Sequence, residues 1–112
     1  MKITRIEPLV VGAPTPGTGR LSNKNYIFVR VHTDEGITGL GEATLESHDD
    51  SILGALRDLE DLIVGQDPTR IGYLMQVLIR QRFWKGGVVK ASAISGVELA
   101  CWDILGKSLG KP

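Results

Sequence analysis

A chain of 112 residues holds one compact domain, and its 42% hydrophobic and 23% charged residues are those of an ordinary globular protein. Thirteen basic residues cancel thirteen acidic ones, so net charge gives no pull toward nucleic acid, an anionic membrane or a polyanionic substrate. The apolar stretches are short and broken by charges, so no membrane-spanning helix is expected, and the opening Met1-Lys2-Ile3-Thr4-Arg5 lacks the apolar run of a signal peptide.

The run from Ile3 to Val11 is rich in apolar and β-branched residues and predicts a first strand. Residues 12–25 have no periodicity and contain Pro14, Pro16, Gly17 and Gly19, which predicts a loop that is long for so small a domain. Its glycines do not make a phosphate loop, because no lysine-serine ending follows and no helix begins directly after it. Tyr26 to Val31 is strongly β-prone, Asp34-Glu35-Gly36 supplies a turn, and residues 37–44 form the return strand. Gly39 and Gly41 fall on one face of that strand, where a close approach is expected.

The second half reads as helical. Ile52, Leu56, Leu59 and Ile63 recur at helical spacing, with Ser47 as the predicted cap and Gly65 as the stop. Asp49 and Asp50 then sit in the first turn, where negative charge offsets the helix dipole, a simpler duty than metal binding. Asp58, Glu60 and Asp61 read as a solvated face. Asp67-Pro68 signals a second helix start, with Ile71, Leu74, Met75, Leu78 and Ile79 as its apolar stripe. Phe83-Trp84-Lys85-Gly86-Gly87 breaks the pattern. A third helix is predicted from about Ala91 to Ser108, with Ile94, Val97, Cys101, Ile104 and Leu105 on one face. Its small residues Ser92, Ala93, Ser95, Gly96 and Ala100 leave room for another backbone. Cys101 is read as a buried thiol, and a single cysteine fits a reducing cytoplasm. Three strands followed by three helices predict an α+β domain built on a three-stranded antiparallel meander.

The chemistry-bearing residues are sparse. His32 and His48 are the only histidines, and no pair of histidines or cysteines has metal-ligand spacing. None of the serines stands at a spacing that suggests a triad with either histidine. Two segments resist a purely structural reading. One is the 12–25 loop, with Arg20, Asn23 and Lys24 near its tip; the other is the polar run from Glu42 to His48, where capping does not account for Glu46 and His48 together.

These segments resemble the mandelate racemase and muconate-lactonising branch of the enolase superfamily, and most of all its acid-sugar dehydratases, such as the galactonate type. The residues that carry the likeness are Met1-Lys2-Ile3-Thr4, the hairpin from Val31 to Glu42, the run from Leu62 to Pro68, and Phe83-Trp84-Lys85-Gly86-Gly87. The strongest stretch is Ser92-Ala93-Ile94-Ser95-Gly96-Val97-Glu98, running into Trp102-Asp103-Ile104-Leu105-Gly106-Lys107.

The resemblance implies an enolase N-terminal-like capping domain over residues 1–112, with a catalytic (β/α)-barrel expected after Pro112. That barrel would carry the Mg²⁺ ligands and the bases that remove a proton α to a carboxylate, so no catalytic residue and no metal ligand is expected here. The cap would lend two segments to a lid over the substrate, residues 12–25 and about 44–50. Glu46, His48, Arg20 and Asn23 are therefore the expected substrate contacts, and Trp84 and Lys85 would line the lid or meet a neighbouring subunit, although a core position for Trp84 fits the sequence equally. Some mannonate dehydratases of the branch carry asparagine where this chain has Glu46, whereas galactonate and gluconate types carry glutamate. The first loop is longer than in the galactonate type. The resemblance thus implies a cytoplasmic, homo-oligomeric lyase acting on a sugar acid, with this domain inactive alone. A stand-alone small-ligand module or a protein-interaction domain is the alternative.

Overall fold

In β2 the side chains alternate strictly: Ile27, Val29, Val31 and Thr33 are buried, and Tyr26, Phe28, Arg30 and His32 point the other way. Such alternation belongs to a sheet with one covered face, and it fixes the register of everything paired to it. The computed structural model describes residues 1–12, 25–80 and 83–112. It contains β1 (Ile3–Val11), β2 (Tyr26–Thr33), β3 (Thr38–Glu42), α1 (Asp49–Ile63), α2 (Ile71–Arg80) and α3 (Val88–Ser108). The strands form one antiparallel sheet in the order β1-β2-β3, with the helices over one face, so the predicted α+β meander is the observed fold. The register of β1 against β2 shifts between Ile3 and Arg5. That irregularity is why Ile3 and Ile6, three residues apart, both reach the core.

The helices supply the rest of the core through Ile52, Leu56, Leu59 and Ile63 of α1, Leu74 and Leu78 of α2, and Val97, Ala100, Cys101 and Ile104 of α3. Ile79, expected on the α2 stripe, is instead 47% exposed. The closest packing is between α3 and β3. A Cβ on Gly39 would overlap the Ala100 carbonyl oxygen, and one on Gly41 would overlap the Gly96 carbonyl oxygen. The two inward-facing strand glycines and the small helix residues therefore answer each other, as their separate patterns suggested. The free edge of β3 is also covered: the Leu40 amide donates to Asp103 Oδ2 at 2.9 Å, and Lys107 Nζ donates to the Thr38 carbonyl at 2.7 Å. Satisfied edge groups leave little template for stray strand pairing.

Four local readings are corrected. Ser47 does not cap α1: the N-cap is His48, without a side-chain cap bond, and Ser47 takes φ 64°. Asp67-Pro68 opens a turn over residues 67–70 rather than α2 itself, because the Asp67 carboxylate is taken by the Thr69 amide and hydroxyl at 2.9 and 2.7 Å. α3 starts at Val88, three residues ahead of the predicted start, directly after Gly86 and Gly87 at φ 85° and 90°. Glu60 is not simply solvated: its Oε2 accepts from the Ile6 amide at 2.6 Å and ties α1 to β1. Gly65, at φ 87°, does follow the end of α1 as expected.

Candidate functional site

The candidate site begins where β3 runs out of sheet partners. Ala43 still donates its amide to the Ile27 carbonyl at 2.8 Å, and then the chain turns. The Thr44 hydroxyl accepts from the Ile27 amide at 3.0 Å and donates to Glu42 Oε1 at 2.9 Å, fixing the first residue of the turn. A tight bend follows, closed by the His48 amide on the Leu45 carbonyl at 3.1 Å, with Ser47 in the left-handed region at its centre. A left-handed serine is an uncommon backbone state that the surroundings must hold in place. His48 then passes its carbonyl to the Ile52 amide, and α1 begins.

This bend presents Glu46 and His48 to solvent, both of them exposed. The Glu46 carboxylate makes no hydrogen bond or ion pair among the described residues, whereas its backbone carbonyl lies 3.0 Å from His48 Nδ1. A carbonyl only accepts, so Nδ1 carries the hydrogen and Nε2 is the nitrogen left facing outward. One short turn thus offers a carboxylate acceptor and an imidazole nitrogen, both fitted to hydroxyl-rich ligands. Neither side chain caps α1 through a hydrogen bond, so capping does not employ the pair, as the sequence suggested. Beside the turn lies a polar hollow of about 280 Å³, lined by Glu42, Thr44, Ser92 and Ser95, where the end of β3 meets the start of α3. Sequence reading treated those serines only as small residues, and nothing in their spacing marks them as lining a hollow.

Arg20 and Asn23, the other two expected contacts, lie outside the described residues, as does the 13–24 stretch of the loop. Trp84 is 84% exposed, which removes the core reading for it. It stands edge-on to Phe83, with ring centroids 5.3 Å apart, and lines a cleft of about 720 Å³ with Ala55, Leu59, Val88 and Lys90. Lys85 is exposed in the same turn. Trp84 therefore lines the cleft at the α3 start, with Lys85 exposed beside it, and Glu46 and His48 occupy the bend before α1.

His32, Glu7 and Cys101 have structural roles. His32, on the outer face of β2, hydrogen-bonds Glu7 Oε1 at 2.9 Å and is the main reason the Glu7 carboxyl sits below its ordinary value, with Arg5 and Arg30 adding to it. Burial pushes the Cys101 thiol up to about 12, which makes it inert as a nucleophile. No group of three or more histidine, cysteine, aspartate or glutamate side chains that would hold a metal ion occurs among the described residues. No helix among them is long and apolar enough to cross a membrane.

Sequence also missed a second feature of the site. Asn25, 2% exposed at the mouth of β2, donates from Nδ2 to Asp49 Oδ2 at 2.7 Å and so joins the sheet to the first turn of α1.

The chain is similar over its full 112 residues to the D-galactonate dehydratase of Ralstonia pickettii, at 42% identity, covering 26% of that protein. Against the D-galactonate dehydratase of Verminephrobacter eiseniae the identity is 48% over 87 residues, 78% of this chain and 23% of the relative. The chain thus spans about a quarter of the length of these relatives. Among solved structures it is similar to an enolase from Pantoea ananatis with bound D-gluconate and Mg, with TM-score 0.82 and 30% identity over 96% of this chain and 25% of that one. A member of the enolase superfamily from Salmonella Typhimurium gives TM-score 0.82 and 30% identity, over 96% of this chain and 27% of that one. Residues 3–112 match the N-terminal domain of the mandelate racemase / muconate lactonizing enzyme family, and the chain belongs to that family.

Proposed function

We propose that this domain caps a Mg²⁺-dependent sugar-acid dehydratase of the galactonate or gluconate type, with Glu46 and His48 as its contacts to substrate. The observation that carries the reading is the 42% identity over all 112 residues to a D-galactonate dehydratase. Glu46 would accept hydrogen bonds from the sugar hydroxyls, and His48 Nε2 would accept another. Arg20 and Asn23 remain candidates for the same role, and Trp84 and Lys85 for a lid or subunit contact. Because the chain spans about a quarter of the length of its relatives, the metal and the bases of proton abstraction would belong to a (β/α)-barrel that this domain covers. The half-exposed Leu99 and Trp102 of α3 and the exposed Leu109 just after it give such a barrel, or a second subunit of a homo-oligomer, an apolar surface to cover. The domain by itself would then be inactive, and the parent enzyme would work in the cytoplasm.

The test is Glu46→Ala in the full-length enzyme, assayed with D-galactonate and D-gluconate alongside a Mg²⁺ titration. A hydrogen bond of this kind contributes about 0.5–1.5 kcal/mol, so kcat/KM should fall roughly two- to tenfold with metal affinity unchanged. Unaltered kcat/KM would remove the substrate role, and a large loss of Mg²⁺ binding would mean that the metal lies elsewhere than in the barrel.

A further inference from the structure

We propose that Asn25 is a positioning residue, which holds the bend carrying Glu46 and His48 in place through its hydrogen bond to Asp49. The bend is anchored at both ends by neighbouring residues at the start of β2. The Ile27 amide holds Thr44 Oγ1 at 3.0 Å where the bend begins, and Asn25 Nδ2 holds Asp49 Oδ2 at 2.7 Å where it ends. Between those anchors lie the left-handed Ser47 and the two exposed side chains. Asn25 is itself fixed, since a Cβ on Gly12 would overlap its Oδ1, so only glycine at the end of β1 leaves the amide its place.

The bridge is a poor way to obtain stability alone. Asn25 Oδ1 and Asp49 Oδ1 are both buried with no hydrogen-bond partner among the described residues, and an unmet buried acceptor opposes folding. A leucine at position 25, branched at the same carbon, would leave no buried acceptor of its own unmet. What the amide adds over leucine is direction, because a 2.7 Å bond to a carboxylate fixes the first residue of α1 relative to the sheet. The bend cannot then slide without breaking one anchor. The consequence for substrate rests on the reading given under Proposed function; the tether itself does not.

Amide hydrogen exchange on the full-length protein tests the tether, and steady-state kinetics with D-galactonate test its consequence. In Asn25→Leu and Asn25→Asp, exchange across residues 44–50 should rise at least tenfold while β2 and β3 keep wild-type protection. Asn25→Asp sets two carboxylates face to face, and adding Asp49→Asn restores a donor-acceptor pair with the roles exchanged, so the double variant should return to near wild-type exchange. KM for the sugar acid should rise about fivefold in the single variants with kcat little changed, and recover in the double variant. Unchanged exchange in both single variants, loosening spread over the whole domain, or no recovery in the double variant would overturn the proposal. Faster exchange with unchanged KM would overturn its consequence for substrate. If Asn25→Leu does not fold, the Asn25→Asp single and double variants decide the matter between them. A wild-type enzyme that turns over no sugar acid would sink the functional reading and leave the exchange result to judge the tether.

Discussion

Gly41→Ala adds one methyl group to an inward position of β3 and should be among the most damaging single changes in the domain. The Cβ would overlap the Gly96 carbonyl oxygen and stand 2.9 Å from both Ala100 N and Gly96 C, where ordinary contact begins at 3.4 Å. All three obstructing atoms are helix backbone, so no rotamer change relieves them. α3 must retreat from β3 by at least about half an ångström, and more to clear the carbonyl. That retreat loosens the seat of Val97, Ala100 and Ile104 and pulls Asp103 and Lys107 off the β3 edge. Overpacking a well-packed core costs about 1–3 kcal/mol when side chains can yield, and here they cannot, so a loss of about 3 kcal/mol or more is expected. Gly54→Ala is the matched control: it lies within α1 with nothing within 4 Å of the added methyl, and should stabilise by about 0.5–1 kcal/mol through helix propensity. Urea unfolding of the two variants beside the parent measures both. A loss below about 1 kcal/mol for Gly41→Ala would mean that the strand-helix contact is looser than described, and the packing argument would fail.

Three further outcomes are expected. Ser47→Gly should raise stability by on the order of 0.5–1 kcal/mol, because relief of a left-handed serine outweighs the added chain entropy of glycine; unfolding curves that show a loss would contradict the strained bend. Cys101 should react with a thiol reagent at pH 8 only as fast as the chain opens, and rapid labelling of the native protein would contradict its burial. In acid, Glu7, Asp67 and Asp103 all act in one direction. Their pKa values are lowered on folding, chiefly by hydrogen bonds from His32, Thr69 and Lys107 respectively. Their contribution is therefore complete above the ordinary values of 4.5 for Glu7 and 3.8 for the aspartates, and is lost as pH falls through the lower folded values. Stability followed by circular dichroism should be flat near pH 6 and decline below about pH 4, and a rise in that range would refute the assignment.

The parts of the fold that were legible in the sequence are those set by periodicity. β1 has the bounds that its composition predicted, and α1 buries the four residues that its spacing marked. Helix starts were less legible, because a capping residue is only one way to begin a helix. Asp67 gives its carboxylate to Thr69 and so delays α2, while two glycines at positive φ let α3 start on Val88 with no side-chain cap at all.

The site divides along the same line. Glu46 and His48 stood out because nothing local employed them, and the described bend leaves both exposed. Asn25 did not stand out, because asparagine at the end of a Gly- and Pro-rich loop reads as loop chemistry, and its partner Asp49 lies 24 residues away. Asp49 in turn was already accounted for by the helix dipole, which hid its second bond. The same holds for Glu60, read as solvated until its bond to Ile6, 54 residues distant, is seen. A polar side chain with an adequate local explanation is thus where a long-range tie is hardest to read from sequence. Only the fold, by bringing β2 and the start of α1 together, separates Asp49, tied to Asn25, from Asp50, which is exposed in the same first turn.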